Sequence, residues 1–286
     1  MAVPAVITTT EELRSCLAAV RSQGKRIGFV PTMGALHDGH LSLVEASRAK
    51  CDATVVSIFV NPTQFGPNED FNRYPRDLAG DLAKLADHDV LCVFAPSDEE
   101  MYPEGYQTYV EVLDVSSQWE GAHRPGHFRG VTTVVAKLFN QVQPDIAFFG
   151  QKDYQQTVVL RRMVRDLAMP VEIEVCPTVR EPDGLALSSR NAYLSPEERQ
   201  QALAISAGLK LAAEMVAKGE TDAAVLIDAI RNRCQREPDL RLQYVAIVDP
   251  DTLQSVTKVL TPAMALVAAH VGTTRLIDNW RLEPAS

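Results

Sequence analysis

Two histidines, His37 and His40, stand three residues apart in a glycine-containing turn and are well suited to phosphate chemistry. The turn follows the apolar run 27–30, which is typical of a buried parallel strand, and leads into a helical pattern. At the carboxyl end of such a strand, Gly34 lets backbone approach a ligand, and a helix start offers free N–H groups to an anion. The sequence therefore predicts that both imidazoles face one phosphate-sized space, with Asp38 capping the helix.

The histidine pair could also be purely structural or bind a metal. Histidines at a helix start can simply satisfy local hydrogen bonds, and an H-x-x-H pair alone is a weak signal. Zinc usually takes three or four protein ligands, and no nearby Cys or acidic residue completes such a set. The other close pair, His123 and His127, is separated by Pro125, which prevents a helical i, i+4 arrangement. We therefore expect a phosphate site rather than a zinc site.

A lysine side chain follows another of the predicted strands. The apolar run 145–149 is followed by Gly150, Lys152 and Asp153, in the order glycine, charged residue and helix start. Lys152 can place a positive charge on phosphate oxygens, and Gly150 allows a ribose or phosphate to lie against backbone. Asp153 is placed near the cap of the next helix. This turn is the second predicted phosphate site.

A hydroxyl-rich loop at Ser188, Ser189 and Arg190 is the third feature suited to phosphate. Two hydroxyl groups and a guanidinium can bind the oxygens of a pyrophosphate. As an isolated string, S-S-R is weak evidence. The loop becomes informative only together with the two turns.

Two amide side chains follow the strand predicted at 54–60, and two cationic side chains lie in a later loop. Asn61 and Gln64 carry amides suited to hydroxyl and carboxylate groups, although a role as turn residues around Pro62 is the simpler interpretation. Further along, Arg124 and His127 lie in a loop ahead of a predicted helix. That loop suits a pocket wall, and a solvated loop is the alternative.

These residues need a scaffold of alternating strands and helices. The sequence predicts strands at 27–30, 54–60, 90–94, 145–149 and 171–175, with helices near 9–21, 40–50, 75–87, 130–142 and 153–168. Alternation of this kind predicts an α/β fold with a Rossmann-like, doubly wound parallel sheet. The stretch 106–112 is predicted as one further strand.

The pattern changes after Arg190. A Ser-Pro-Glu-Glu start at 195–198 predicts a long helix to about residue 218, and a second helix follows at 222–233. Strands are then predicted at 241–248, 263–270 and 274–278, antiparallel if they pair in order. We predict two domains: residues 1–178, Rossmann-like, and residues 179–286, a smaller α+β lid domain.

The composition indicates which kinds of molecule the chain can bind. The 286 residues include 28 Lys and Arg against 37 Asp and Glu, a formal net charge of −9, and no basic stripe is visible. This disfavours a nucleic-acid partner and favours a small-molecule enzyme. Five widely spaced cysteines without a C-x-x-C pair fit reduced thiols in the cytoplasm. No apolar run is long enough for a membrane helix.

Five strings carry a resemblance to a known family. They are P-T-M-G-A-L-H-D-G-H at 31–40, N-P-T-Q-F at 61–65, E-G-A-H-R-P-G-H-F-R-G-V at 120–131, F-G-Q-K-D-Y-Q-Q at 149–156 and L-S-S-R-N at 187–191. The first resembles the H-I-G-H signature of the nucleotidylyltransferase superfamily. The set is similar to the pantoate–β-alanine ligase (pantothenate synthetase) family, which often has Glu where this chain has Gln151 and Met where it has Leu187.

The resemblance implies an ATP-dependent ligase that joins pantoate to β-alanine through a pantoyl adenylate, with Mg²⁺, as a homodimer. It implies that His37 and His40 are catalytic and that His40 is the better proton donor. The implied ATP-binding residues are Met33, Gly34, His37, His40, Gly150, Lys152, Asp153, Val179, Leu187, Ser188, Ser189 and Arg190. The implied pantoate and β-alanine ligands are Asn61, Gln64, Arg124, His127 and Gln156, and Asp81 is a candidate ligand for Mg²⁺.

Three other functions compete with this interpretation. A nucleotidylyltransferase of the same fold would form a product that keeps the AMP group. A nucleotide-binding regulator would bind ATP without releasing pyrophosphate. A class I tRNA ligase is disfavoured by the acidic charge and by the lack of a tRNA-binding region.

Overall fold

The computed structural model describes residues 3–67 and 69–284. Its strands are β1 (Ala5–Ile7), β2 (Ile27–Thr32), β3 (Ala53–Ile58), β4 (Cys92–Phe94), β5 (Ile146–Gly150), β6 (Glu172–Cys176), β7 (Leu240–Val248), β8 (Ala263–Val271) and β9 (Thr274–Leu282). Its α-helices are α1 (Thr10–Ser22), α2 (Asp38–Lys50), α3 (Leu78–Leu85), α4 (Asp98–Met101), α5 (Glu120–His123), α6 (His127–Val142), α7 (Tyr154–Asp166), α8 (Pro196–Ala217) and α9 (Ala223–Cys234).

Six strands form one parallel sheet in the order β1-β4-β3-β2-β5-β6. Apolar side chains cover both faces, with Phe29 and Val55 in one core cluster and Val30 and Val56 in the other. A strand that is buried on both faces appears in the sequence as a continuous apolar run, so the central strands of this sheet could be predicted from the sequence. Strand β2 pairs with β3 on one side and with β5 on the other, so the strand order reverses there. Ligands bind at such switch points in open α/β sheets.

The chain divides into two compact units. The first contains Met1–Ser117, Gly121–Gly150 and Val159–Pro177, and the second contains Gln118–Glu120, Gln151–Val158 and Thr178–Ser286. The second unit thus takes up two short segments that the sequence placed in the first domain. The predicted domain boundary after residue 178 stays a prediction.

The second unit is built on an antiparallel sheet in the order β7-β8-β9. Helices α8 and α9 contribute Leu209, Leu226 and Ile230 to its core, where they pack with sheet residues such as Ile247 and Val267. Helix α8 begins with the predicted signal: the Ser195 hydroxyl accepts the Glu198 N–H, and the Glu198 carboxylate accepts the Ser195 N–H.

The predicted fold class is confirmed: a parallel Rossmann-like sheet with helices, and a smaller α+β unit. The strand predicted at 106–112 is wrong. There the Val110 N–H donates to the Thr133 hydroxyl and the Val110 carbonyl accepts from Thr132, so helix α6 takes up hydrogen bonds that a strand partner would make. Strand β1 was missed because it is only three residues long and largely exposed at the sheet edge. Among the described residues, no helix has the length and apolar character needed to cross a bilayer.

Candidate active site

The paired histidines lie where β2 turns into α2, as predicted. The predicted cap is off by one residue: His37 occupies the N-cap position in extended conformation, and Asp38 is the first helical residue. The helix starts there because the His37 carbonyl already accepts the Leu41 N–H at 3.1 Å. Asp38, exposed at the first turn, instead offers its charge to the positive end of the helix dipole.

The two imidazole rings are close neighbours, with centroids 4.1 Å apart and an interplanar angle of 34°. The His37 backbone N–H donates to Nδ1 of His40 at 3.3 Å. Because Nδ1 accepts this bond, the proton of a neutral His40 ring sits on Nε2. The helix start therefore carries an imidazole N–H donor, which is the group that a charged phosphate oxygen requires.

Asp81 of helix α3 hydrogen-bonds to the backbone of this turn and is 2 % exposed. Its Oδ2 accepts the Ala35 N–H at 2.9 Å, and its Oδ1 accepts the Leu36 N–H at 2.7 Å. Burial raises the pKa of this carboxyl above its ordinary value. The two backbone hydrogen bonds favour the ionised form and lower the pKa, but their effect is smaller than that of burial.

Gln64 follows β3 and is oriented by Asn61, which is 1 % exposed. Asn61 Nδ2 donates to Gln64 Oε1 at 3.0 Å and to the Gly130 carbonyl at 3.2 Å, and its Oδ1 accepts from the Tyr102 hydroxyl at 2.8 Å. Burial raises the pKa of Tyr102 to about 12, which keeps that hydroxyl a donor. Since Gln64 Oε1 accepts from Asn61, Nε2 is the donor atom of the amide, and it donates to Met33 Sδ at 3.1 Å.

Arg124 and His127 hold the backbone of the same glutamine. His127 Nδ1 lies 2.8 Å from the Gln64 carbonyl oxygen, and Arg124 Nη1 lies 3.0 Å from His127 Nε2. Arg124 is fixed in turn by a bidentate pair with Glu69, at 2.7 and 2.6 Å. Burial works against the ionised form of Glu69, but Arg124 outweighs it and holds the pKa of that carboxyl below its ordinary value. Sequence spacing did not reveal Glu69.

Gly130→Ala is expected to disturb this group despite the better helix propensity of alanine. A Cβ at this position in α6 would clash with the Thr63 carbonyl oxygen and would lie 2.7 Å from Gln64 Cα. Backbone must move to relieve this clash, so we expect a loss of about 1–3 kcal/mol in the free energy of unfolding by urea. Gly66→Ala is the matched control, since its Cβ would meet Glu69 at an ordinary 3.7 Å. Equal stability of the two variants would contradict this packing.

In the second unit, Lys152 lies in a short 3-10 turn, Gln151–Asp153, held by Asn279. Asn279 Nδ2 donates to the carbonyl oxygens of Gln151 and Lys152, both at 2.9 Å, and its Oδ1 accepts from Gln151 Nε2 at 3.2 Å. Asn279 is 2 % exposed, and its own N–H donates to Asp278 at 2.8 Å. Asn279 was not found from the sequence, because nothing in a β-strand pattern marks a distant partner.

The loop around Ser188 belongs to the same unit. The Leu187 N–H donates to the Val179 carbonyl at 3.0 Å, so these two predicted residues face each other across a hairpin. Ser188 caps the 3-10 helix Ser189–Tyr193 by accepting the Arg190 N–H at 3.3 Å. Lys152 and Ser188 line one small cavity, together with Asn191 and Asp278.

Arg180 braces this hairpin. Its guanidinium makes a bidentate pair with Asp278, at 2.7 and 2.9 Å, and lies over the Trp280 ring, 4.6 Å from the centroid. It also donates to the Gly184 carbonyl at 3.2 Å. The predicted phosphate loop is therefore tied to strand β9 by a largely buried ion pair.

A family model for pantoate-beta-alanine ligase matches residues 5–281. This chain belongs to that family. Pantothenate synthetase 1 of Bradyrhizobium diazoefficiens is 61% identical over 275 residues, which cover 96% of each chain. Pantothenate synthetase of Moorella thermoacetica is 55% identical over 278 residues, or 97% of this chain and 98% of the relative.

Solved structures of the ligase family agree with the fold. The pantothenate synthetase of Thermus thermophilus has a TM-score of 0.94 at 49% identity and covers 98% of this chain and 100% of its own. The pantoate-beta-alanine ligase of Francisella tularensis has a TM-score of 0.80 at 36% identity, with 97% of each chain covered. That structure is described as a complex with beta-gamma ATP and beta-alanine.

The remaining residues that the ligase resemblance implies lie at element ends and first turns. Gly150 ends β5, and a Cβ there would meet nothing within 4 Å, so the space beside it is open. Gly34 adopts a left-handed φ of 80° in the histidine turn. Asp153 is exposed, and Gln156 is partly exposed in the first turn of α7. The structure brings together Met33 with Gln64, His37 with His40, and Lys152 with Ser188, each pair within one unit.

Proposed function

We propose that this chain catalyses the ATP-dependent condensation of (R)-pantoate with β-alanine, giving pantothenate, AMP and diphosphate through a pantoyl adenylate. The observation that carries the proposal is the β2–α2 turn, where a helix start and the Nε2–H donor of His40 meet at the switch point of the sheet. Membership in the pantoate–β-alanine ligase family supports the identity of both substrates.

The first step is attack of the pantoate carboxylate on the α-phosphorus of ATP, which expels diphosphate. A carboxylate is already ionised at neutral pH, so this step requires no general base. It requires in-line positioning and donors that stabilise the charge developing on phosphate oxygens. In the second step the amine of β-alanine attacks the acyl carbon and AMP leaves.

The chain supplies donors and cations of the kinds that the first step requires. His40 donates from Nε2 to the α-phosphate or the departing diphosphate, and His37 supports the same charge beside it. Lys152 and Arg190 neutralise phosphate oxygens, and Ser188 and Ser189 donate to them as hydroxyl groups. Met33, Gly34, Gly150, Asp153, Val179 and Leu187 complete the proposed contacts with ATP.

Pantoate is oriented by the amides of Gln64 and Gln156. Asn61 occupies Oε1 of Gln64, so Gln64 can present an Nε2 N–H to a carboxylate or hydroxyl oxygen of the substrate. Arg124 and His127, bonded to the Gln64 backbone, keep that residue in place. We assign Asn61, Arg124 and His127 to the pantoate and β-alanine site chiefly through Gln64.

Mg²⁺ is proposed to enter with ATP. The described residues 3–67 and 69–284 contain no group of three or more His, Cys, Asp or Glu side chains arranged around one metal position. Mg²⁺ commonly keeps several waters and binds through substrate phosphates, where it neutralises their charge. The residues present thus fit a metal held by the nucleotide better than one held in a protein cage. We also propose a cytoplasmic homodimer that has no nucleic-acid partner.

Exchange of labelled diphosphate into ATP tests the proposal. With Mg²⁺ and without β-alanine, label is expected in ATP only when pantoate is present, because diphosphate release must be reversible at the adenylate. Adding β-alanine should then yield AMP and pantothenate by mass spectrometry. A product that keeps the AMP group would support a nucleotidylyltransferase. ATP binding without any exchange would support a regulator or a nucleotidylyltransferase that uses another acceptor.

A further inference from the structure

Two side chains of helix α3 hydrogen-bond to the backbone of the β2–α2 turn. Asp81 accepts the N–H groups of Ala35 and Leu36, and one helical turn later Lys84 Nζ donates to the Leu36 carbonyl at 2.6 Å. Both backbone groups of Leu36 are therefore bonded to α3, and the next residue along the chain is His37. Leu36 itself is 2 % exposed.

The turn has a backbone conformation that needs such support. Gly34 has φ of 80° and Ala35 has φ of 50°, two successive residues in the left-handed region. Consecutive N–H groups in a turn of this kind converge on an anion, and the anion here is the Asp81 carboxylate. A non-glycine residue such as Ala35 keeps a left-handed conformation only where its surroundings hold it.

We propose that Asp81 and Lys84 are positioning residues, which clamp the turn 34–36 and thereby place the imidazoles of His37 and His40. This inference rests on the proposed function. It assigns Asp81 a role other than holding Mg²⁺. Both carboxylate oxygens already accept backbone N–H groups, and the residue is only 2 % exposed, which leaves little of the carboxylate for a metal that retains several waters. Lys84 also acts on this carboxylate as a nearby positive charge.

Asp81→Asn tests the clamp, because an amide cannot accept both N–H bonds. We expect kcat of pantoate-dependent exchange to fall about 100-fold, the effect of misplacing a catalytic group by about 1 Å. KM for ATP and pantoate should change much less than kcat, since most of the proposed ground-state contacts lie outside this turn. The Mg²⁺ concentration for half-maximal rate should stay as in wild type. A rate restored by excess Mg²⁺ would identify a metal ligand and overturn the proposal.

Asp77→Asn is the matched control on the same helix. Asp77 caps α3 by accepting the Gly80 N–H, and asparagine caps equally well, so kcat should be unchanged. Lys84→Met removes the other half of the clamp and should lower kcat about tenfold with KM unchanged. Wild-type kcat in Lys84→Met would contradict the clamp even if Asp81→Asn did not fold.

An NMR measurement separates failure of the clamp from failure of the proposed function. The Leu36 amide proton, bonded to a carboxylate, should resonate downfield and move upfield in Asp81→Asn but not in Asp77→Asn. An unmoved Leu36 signal would overturn the clamp whatever the enzyme does. A wild-type protein that shows this signal and no exchange would leave the clamp standing and reject the reaction.

Discussion

His40→Ala is expected to lower kcat of pantoate-dependent exchange by about 100- to 1,000-fold, the usual effect of removing one transition-state donor. KM for pantoate and ATP should change much less, because the charge that Nε2 stabilises develops only as diphosphate leaves. Steady-state exchange rates over a matrix of ATP and pantoate concentrations separate the two parameters. A pure KM effect would reject the transition-state role.

Two further variants at this position locate the donor atom. In His40→Asn the amide oxygen can replace Nδ1 and keep the bond from the His37 N–H, but no group reaches the position of Nε2. It should therefore be as slow as His40→Ala. In His40→Gln the amide can reach that position and donate, so part of the rate should return. His88→Ala, at a histidine whose Nδ1 lies 2.7 Å from Glu45, is the control and should retain wild-type kcat.

Several elements of the two units could be predicted from the sequence because each is a local pattern. Strands β2, β3 and β5 are apolar runs buried on both faces, and α8 begins with a capping box. What the patterns did not show is set by partners distant in sequence. The stretch 106–112 has a strand-like composition, yet its hydrogen bonds go to threonines of α6.

The same limit applies to the candidate site. Motif strings identified Lys152 and Arg124, but not the residues that hold them. Asn279 lies 127 residues from Lys152, and Glu69 lies 55 residues from Arg124. Asp81 was found for a different reason, as a candidate metal ligand, and the hydrogen bonds to Ala35 and Leu36 are long-range contacts that no spacing rule predicts. Spacing shows which side chains can react, whereas packing decides which atoms of those side chains face the substrate.

Lys152→Met should produce the second large effect, a fall of about 100-fold or more in kcat of exchange. Methionine keeps the length of the side chain and removes only the ammonium group, which is proposed to neutralise oxygens of the departing diphosphate. Lys152→Arg should recover part of the rate, since it keeps the charge in a different donor geometry. Lys258→Met, at an exposed lysine of the same unit, is the matched control and should be as active as wild type. Equal losses in Lys152→Met and Lys258→Met would contradict a specific role.

Asn279→Ala tests whether the rate depends on how the Lys152 turn is held. Removing the amide frees two carbonyl oxygens, so the free energy of unfolding should fall by about 1–3 kcal/mol and kcat should drop as well. In a double-mutant cycle, adding Asn279→Ala to Lys152→Met should lower the free energy of unfolding as it does in the wild-type background. The kcat of the double variant should equal that of Lys152→Met alone, because the asparagine acts on the reaction through the ammonium group. If the two losses in kcat multiply instead, Asn279 affects catalysis by a route that does not include Lys152.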